Sequence, residues 1–239
     1  MLDMRFAADR GRANFGWLDA RHSFSFGHYF DPKQQGFSDL LVINEDRIEG
    51  GQGFDTHGHR DMEIFTYVLE GALEHRDSLG SGSVIVPGDV QMMSAGTGIR
   101  HSEFNHSRQE KLHLLQIWIV PDRKGVAPRY QETRFDPAEK RGKLRLIMSP
   151  DGADGSLSVY QDIKIYSGLF DAGEKLQVSL DPARYVYLHL ARGKLDMNGQ
   201  TFHAGDGARL RAESSLLLEH GEGAEILLFD MRANELPVM

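Results

Sequence analysis

The chain is expected to be all-β and to contain two similar domains, each a β-barrel or jelly roll. Three observations predict this. Short apolar runs recur with turn residues between them, the pattern of the first half returns in the second, and a polar stretch rich in proline lies between. Many short, evenly spaced strands are the pattern of a closed or double-layered β architecture.

Residues 1–38 are rich in aromatics (Phe6, Phe15, Trp17, Phe24, Phe26) mixed with Arg, His, Gly and Asn, without a sustained period. They read as irregular chain laid over a sheet, with a short strand at Ser23–Phe26 where Ser and Phe alternate. Strands are then expected at Leu40–Asn44, Ile64–Leu69, Leu73–Arg76, Ser83–Val86, Val90–Ser94 and Leu112–Val120. Glu70-Gly71, Leu79-Gly80 and Pro87-Gly88-Asp89 supply tight turns. The segment from Pro121 to Lys143 reads as an inter-domain crossing. Beyond it, strands are expected at Leu144–Met148, Ile163–Phe170, Leu176–Leu180, Tyr185–Leu190, Lys194–Met197, Leu216–Glu219 and Glu225–Phe229.

YVLEGALEH at Tyr67 and YLHLARGKLD at Tyr187 run apolar, turn, apolar, and Pro87-Gly88-Asp89 has a counterpart in Ala204-Gly205-Asp206. The offset is about 120 residues, half the chain, as a duplicated domain would produce. The expected division is residues 1–125 as the first domain, 126–143 as a linker and 144–239 as the second domain.

With 40% hydrophobic and 26% charged residues the chain has the composition of a folded globular protein. Its formal charge of −8 argues against a broad phosphate-binding surface, so no direct nucleic-acid binding is expected. No cysteine is present, which excludes disulfides, thiolate metal sites and cysteine nucleophiles; any metal must be held by nitrogen and oxygen. The first residues carry charges throughout and do not read as a signal peptide, and no stretch approaches the roughly 20 apolar residues that span a bilayer. No membrane association is expected, and a cytoplasmic location is.

The stretch from Gly53 to Glu103 carries the candidate chemistry. His57 and His59 stand one residue apart, as do His101 and Glu103, and alternate residues of a strand share a face. Each pair could therefore supply two ligands to one cavity. Three imidazoles and a carboxylate suit Fe(II), Ni(II), Cu(II), Mn(II) or Zn(II), with positions left for water, O2 or a chelating substrate. Eleven histidines in 239 residues produce some H-x-H by chance, so the first pair alone is weak; the second pair, after a strand-and-turn series, strengthens it.

Glu63 lies at even spacing from His59 and is either an acceptor that orients a ligand histidine or an exposed strand-end carboxylate. His75, His106 and His113 have no same-face partner at short spacing and are expected to be structural. Gly96 and Gly98 form a tight turn that aims His101. Trp17, Phe24, Phe26, Met92 and Trp118 line an aromatic pocket or are plain core. In the second half, Gln177, Ser179 and Asp181 stand where the first half has H-x-H, and His189, His203 and His220 are isolated, so that barrel is expected to be metal-free.

The blocks GRANFGWLDARHSFSFGHYFDP, Gly53 to Asp77, MSAGTGIRHSEFN and LHLLQIWIVP, together with SPDGADGSLSVYQD in the second half, resemble the pirin family, and most of all its bacterial members associated with quercetin 2,3-dioxygenase activity. The resemblance implies two tandem cupin (jelly-roll β-barrel) domains, a bicupin, with metal only in the first. It places the metal ligands at His57, His59, His101 and Glu103; Gly58 stands where the family often has Pro. It implies a flavonol such as quercetin chelating one divalent transition metal, Fe(II) first, with ring opening by O2 and loss of carbon monoxide, and Glu103 as ligand and proton acceptor. Small aromatic chelating substrate and O2 are thus the expected partners. The family also offers a non-enzymatic alternative, a metal-dependent regulator of a transcription or metabolic protein partner.

Overall fold

A computed structural model describes residues 2–235. Strand accounts for 58% of the chain and helix for 4%, and the chain separates into two compact units. Within the described residues, the N-terminal unit comprises 11–134 and 159–161, and the C-terminal unit 2–10, 135–158 and 162–235.

The N-terminal unit contains a seven-stranded sheet and a four-stranded sheet. In the larger sheet Leu112–Ile119 lies between Leu40–Ile48 and Glu63–Glu70. These strands read as near-continuous apolar runs because both faces are covered; Ile43, Phe65, Leu115 and Ile117 are fully buried. The four-stranded sheet runs in the order Gly53–His59, Ile99–Asn105, Leu73–Asp77, Gly82–Ile85. Ile99–Asn105 alternates strictly: Ile99, His101, Glu103 and Asn105 are buried, Arg100 is exposed, and Ser102 and Phe104 are half-buried. Its neighbour comes close. A Cβ on Gly53 would lie 2.2 Å from the Glu103 carbonyl oxygen, so only glycine permits that approach.

The C-terminal unit is one nine-stranded sheet bent over its own core. Its two longest strands, Tyr185–Met197 and Ser215–Met231, each span two of the shorter strands predicted from the sequence. Register shifts at Leu190, Arg192 and Lys194 bend the pair, and such a bend lets one strand serve both walls of a barrel. Leu176–Ser179, Ser215–Met231, Tyr185–Met197 and Gln200–His203 pair in that order, repeating the order of the N-terminal four-stranded sheet. The repeated turn is also structural. Asp89 Oδ2 accepts from Val86 N at 3.0 Å and Asp206 Oδ2 from His203 N at 2.8 Å, with Gly88 and Gly205 at φ +99° and +89°.

Three sequence expectations are corrected by the strand pairing. The stretch 1–38 is not irregular throughout: Leu2–Arg5, Gly11–Asn14 and Leu18–His22 are strands. They were hidden because the inward positions of Leu18–His22 are Leu, Ala and His, a weak apolar signal. Ser23–Phe26 is not a strand; its end forms only an isolated bridge between Phe26 and Tyr29, and Phe24 fills core. The segment 126–143 is ordered by pairing, since Arg129–Arg134 lies beside Asp89–Ser94 and Pro137–Lys140 is a helical turn with an Asp136/Glu139 capping box. An edge strand is exposed on one side, so its polar residues resemble linker. Leu2–Arg5 pairs with Gly207–Arg211, which joins the chain start to the C-terminal unit.

Candidate metal centre and aromatic cavity

His57 and His59 lie on one strand, His101 and Glu103 on the next, with His101 directly across from His57. A register shift separates His101 from Glu103, which pairs with Phe54; a bulge beside a site re-aims side chains in this way. His101 Nε2 lies 3.0 Å from His59 Nε2 and 3.1 Å from His57 Nε2. Three ring nitrogens therefore converge, and Glu103 lies in a separate group with His101 and His75.

The chemistry of these nitrogens fits a cation. His57 Nδ1–H donates to the Asp55 carbonyl at 2.8 Å, which leaves its Nε2 as a lone pair. His101 Nδ1 is buried without a hydrogen-bond partner, so neither tautomer of His101 satisfies both of its nitrogens. A cation among the three Nε2 lone pairs removes the conflict at that end. Burial first, and then neighbouring His57, lower the His59 pKa to about 4. Burial, with His57, His59 and His75 adding, lowers His101 to about 2. Both rings are thus neutral and able to ligate at ordinary pH.

Glu103 is buried at 2% exposure, and burial raises its pKa to about 7 against the opposing hydrogen bonds. Gln116 Nε2 donates to its Oε2 at 2.7 Å and Thr66 Oγ1 to its Oε1 at 3.3 Å. The carboxylate is therefore held by two neutral donors without a cationic side chain. His75 also approaches His101 and Glu103, but its nitrogens are committed: Nε2–H donates to Asp77 Oδ2 at 3.1 Å, and Gln91 Nε2 donates to Nδ1 at 3.3 Å. His75 instead packs its ring 5.3 Å from that of His101.

Glu63 does not orient a ligand histidine. Its Oε2 accepts from Ser94 Oγ at 3.0 Å and Tyr160 N at 3.1 Å, and it is buried, not an exposed strand end. His113 pairs with Glu45 and His106 with Glu74, structural roles for both. Phe24 and Met92 belong to the core, whereas Trp17, Phe26 and Trp118 border a cavity of about 770 Å³ together with Phe54 and Tyr29. His57, Gln116, Asn44 and His22 border it too. Trp118 packs edge-on against both His59, at 5.1 Å, and Phe26, at 5.4 Å.

The donors Gln116 and Thr66 and the Asp77–His75 support escaped sequence reasoning. The available signal was a lone polar residue inside an apolar strand, as in LHLLQIWIV, EIFTYVLEG and DVQMMS.

Residues 5–119 match the pirin family model, and residues 146–231 match the model for the quercetinase C-terminal cupin domain. A protein of Escherichia coli K12 named quercetin 2,3-dioxygenase is 47% identical over 97% of this chain and 99% of its own length. The chain belongs to the pirin family. A pirin-like protein of Caulobacter vibrioides is 39% identical over 96% of the chain and 99% of its own. Among solved structures, the bacterial pirin YhhW of E. coli in complex with nickel(II) superposes with TM-score 0.93 at 45% identity, over 98% of this chain and 100% of that one. Both units of this pirin thus match cupin domains, and it is a bicupin.

Proposed function

We propose that this pirin is a metal-dependent dioxygenase that opens the heterocyclic ring of a flavonol such as quercetin with O2. The observation that carries this reading is the position of His57, which belongs to the three-histidine convergence and also borders the aromatic cavity. A planar phenol lying among Trp17, Phe26, Phe54 and Trp118 would present its oxygens to those histidines. The names of the relatives favour this reading over the non-enzymatic regulator.

His57, His59, His101 and Glu103 are assigned as ligands of a single divalent ion. Three nitrogens and one oxygen form a borderline donor set; Fe(II) leads, and the nickel complex of the E. coli relative supports Ni(II) beside it. When bound, the ion would make the chelating hydroxyl of the substrate more acidic and neutralise the oxyanion left behind. Glu103 takes up that hydroxyl proton on a carboxylate oxygen. Its pKa of about 7 in the metal-free fold suits a base at neutral pH, and a nearby cation would weaken it. Gln116 and Thr66 keep the carboxylate aimed, while the aromatic walls exclude water and hold the phenol flat. Overall, both atoms of O2 enter the opened product and one ring carbon leaves as carbon monoxide.

The test is loss of quercetin's visible absorbance together with O2 uptake. Glu103→Gln is expected to keep metal on the three histidines and to lose about 10²–10⁴-fold in turnover. Full turnover with metal retained overturns the base assignment. No turnover by the wild type with any candidate metal overturns the reaction.

A further inference from the structure

The row of side chains that holds Glu103 continues past it. Register places His22, Asn44, Gln116, Thr66 and Gln91 side by side across five neighbouring strands, and all five are buried. The next row on one side, Val42, Trp118, Ile64 and Met93, is wholly apolar. A buried polar row beside an apolar one is costly unless its groups are hydrogen-bonded. Gln116 and Thr66 serve Glu103, and Gln91 serves His75. His22 and Asn44, at the other end, bond to each other, His22 Nδ1 to Asn44 Oδ1 at 2.7 Å, and both border the cavity.

That bond commits one end of the Asn44 amide. A carboxamide has hydrogen-bonding groups at two ends, so the other end is available to the cavity. With strands roughly 4.8 Å apart, Asn44 lies about 5 Å and His22 about 10 Å across the sheet from Gln116. A flat three-ring phenol with its chelating oxygens near Glu103 covers that span.

We infer that Asn44, positioned by His22, is a specificity-determining residue that reads hydroxyl groups on the outer phenyl ring of the bound flavonol. This rests on the flavonol reading above. Discrimination arises because a ring without hydroxyls leaves the buried amide unpaired, whereas a hydroxylated ring satisfies it.

The experiment is equilibrium binding to the full, nickel-loaded chain without O2, read by quenching of tryptophan fluorescence, since Trp17 and Trp118 line the cavity. The two probes are quercetin and the flavonol that lacks both outer-ring hydroxyls. The wild type is expected to bind quercetin about tenfold tighter or more. Asn44→Leu and His22→Phe are each expected to reduce that ratio to about twofold or less. Equal binding by the wild type overturns the inference without any variant, and so does a ratio that survives in folded variants. If the wild type binds neither flavonol, the flavonol reading itself falls, and this inference with it.

Discussion

The two units contain the same four-strand arrangement and fill it with opposite chemistry. On the N-terminal sheet the inward side chains include His57, His59, His75, His101 and Glu103. On the C-terminal sheet the matching strands supply Leu195, Met197, Leu216 and Leu218, with Leu176 and Val178 packed against them. Gln177 and Ser179, expected from sequence to stand in place of the H-x-H pair, are exposed; Leu176 and Val178 turn inward. One backbone thus accepts either a polar, metal-ready interior or a hydrocarbon one, and the choice rests on a handful of alternate positions.

The comparison is broken most strongly by making the first sheet resemble the second. His101→Leu is expected to remove metal from the purified protein and lower quercetin turnover by about 10²–10³-fold or more. With both proteins metal-free, the melting temperature should hold, because the substitution also deletes an unsatisfied buried nitrogen. Metal analysis and a thermal melt check both; retained metal would remove His101 from the ligand set.

The converse substitution has a smaller effect. Leu218 is fully buried in the C-terminal core, and Leu218→His is expected to cost about 2–4 kcal/mol in a denaturant titration, through lost packing and an unpaired imidazole. A neutral result would mean that the second sheet tolerates polarity as the first does.

The smallest effect separates the sheets by pH. Glu103 moves from about 4.5 in the unfolded chain to about 7 in the metal-free fold. Its protonation therefore contributes stability that is fully present below the unfolded value and lost as the pH rises through 7. With Glu103 proposed as a fourth ligand, the ion binds more tightly to its ionised form, so below pH 7 the gain from Glu103 requires expelling a proton, while His59 and His101 stay neutral down to about 4. Apparent metal affinity should fall about tenfold per pH unit below 7 and level off above it. The metal-induced rise in melting temperature should accordingly be larger near pH 8 than near pH 5.5. A rise that does not change with pH would separate Glu103 from metal binding.

Much of this was legible in the sequence because period-two patterning reports which side chains share a face. The pairs at 57/59 and 101/103 needed only that rule, and so did the repeated Pro87-Gly88-Asp89 and Ala204-Gly205-Asp206 turns. What remained hidden depends on register across strands, which one chain segment does not display. Gln116 meets Glu103, and His22 meets Asn44, only after strands distant in sequence are aligned. The edge strand Arg129–Arg134 was hidden for another reason: with one side exposed, its composition carries little apolar signal.

Gly53 gives the centre its manufacturing tolerance. Its absent carbon is the clearance that lets Gly53–His59 seat against Ile99–Asn105, and the gap between those backbones sets how far apart His57 and His101 begin. The side chains at 57, 59 and 101 are interchangeable parts in principle, since imidazole, carboxylate and amide all fit a strand. The gauge that spaces them is a position where the chain can hold nothing at all.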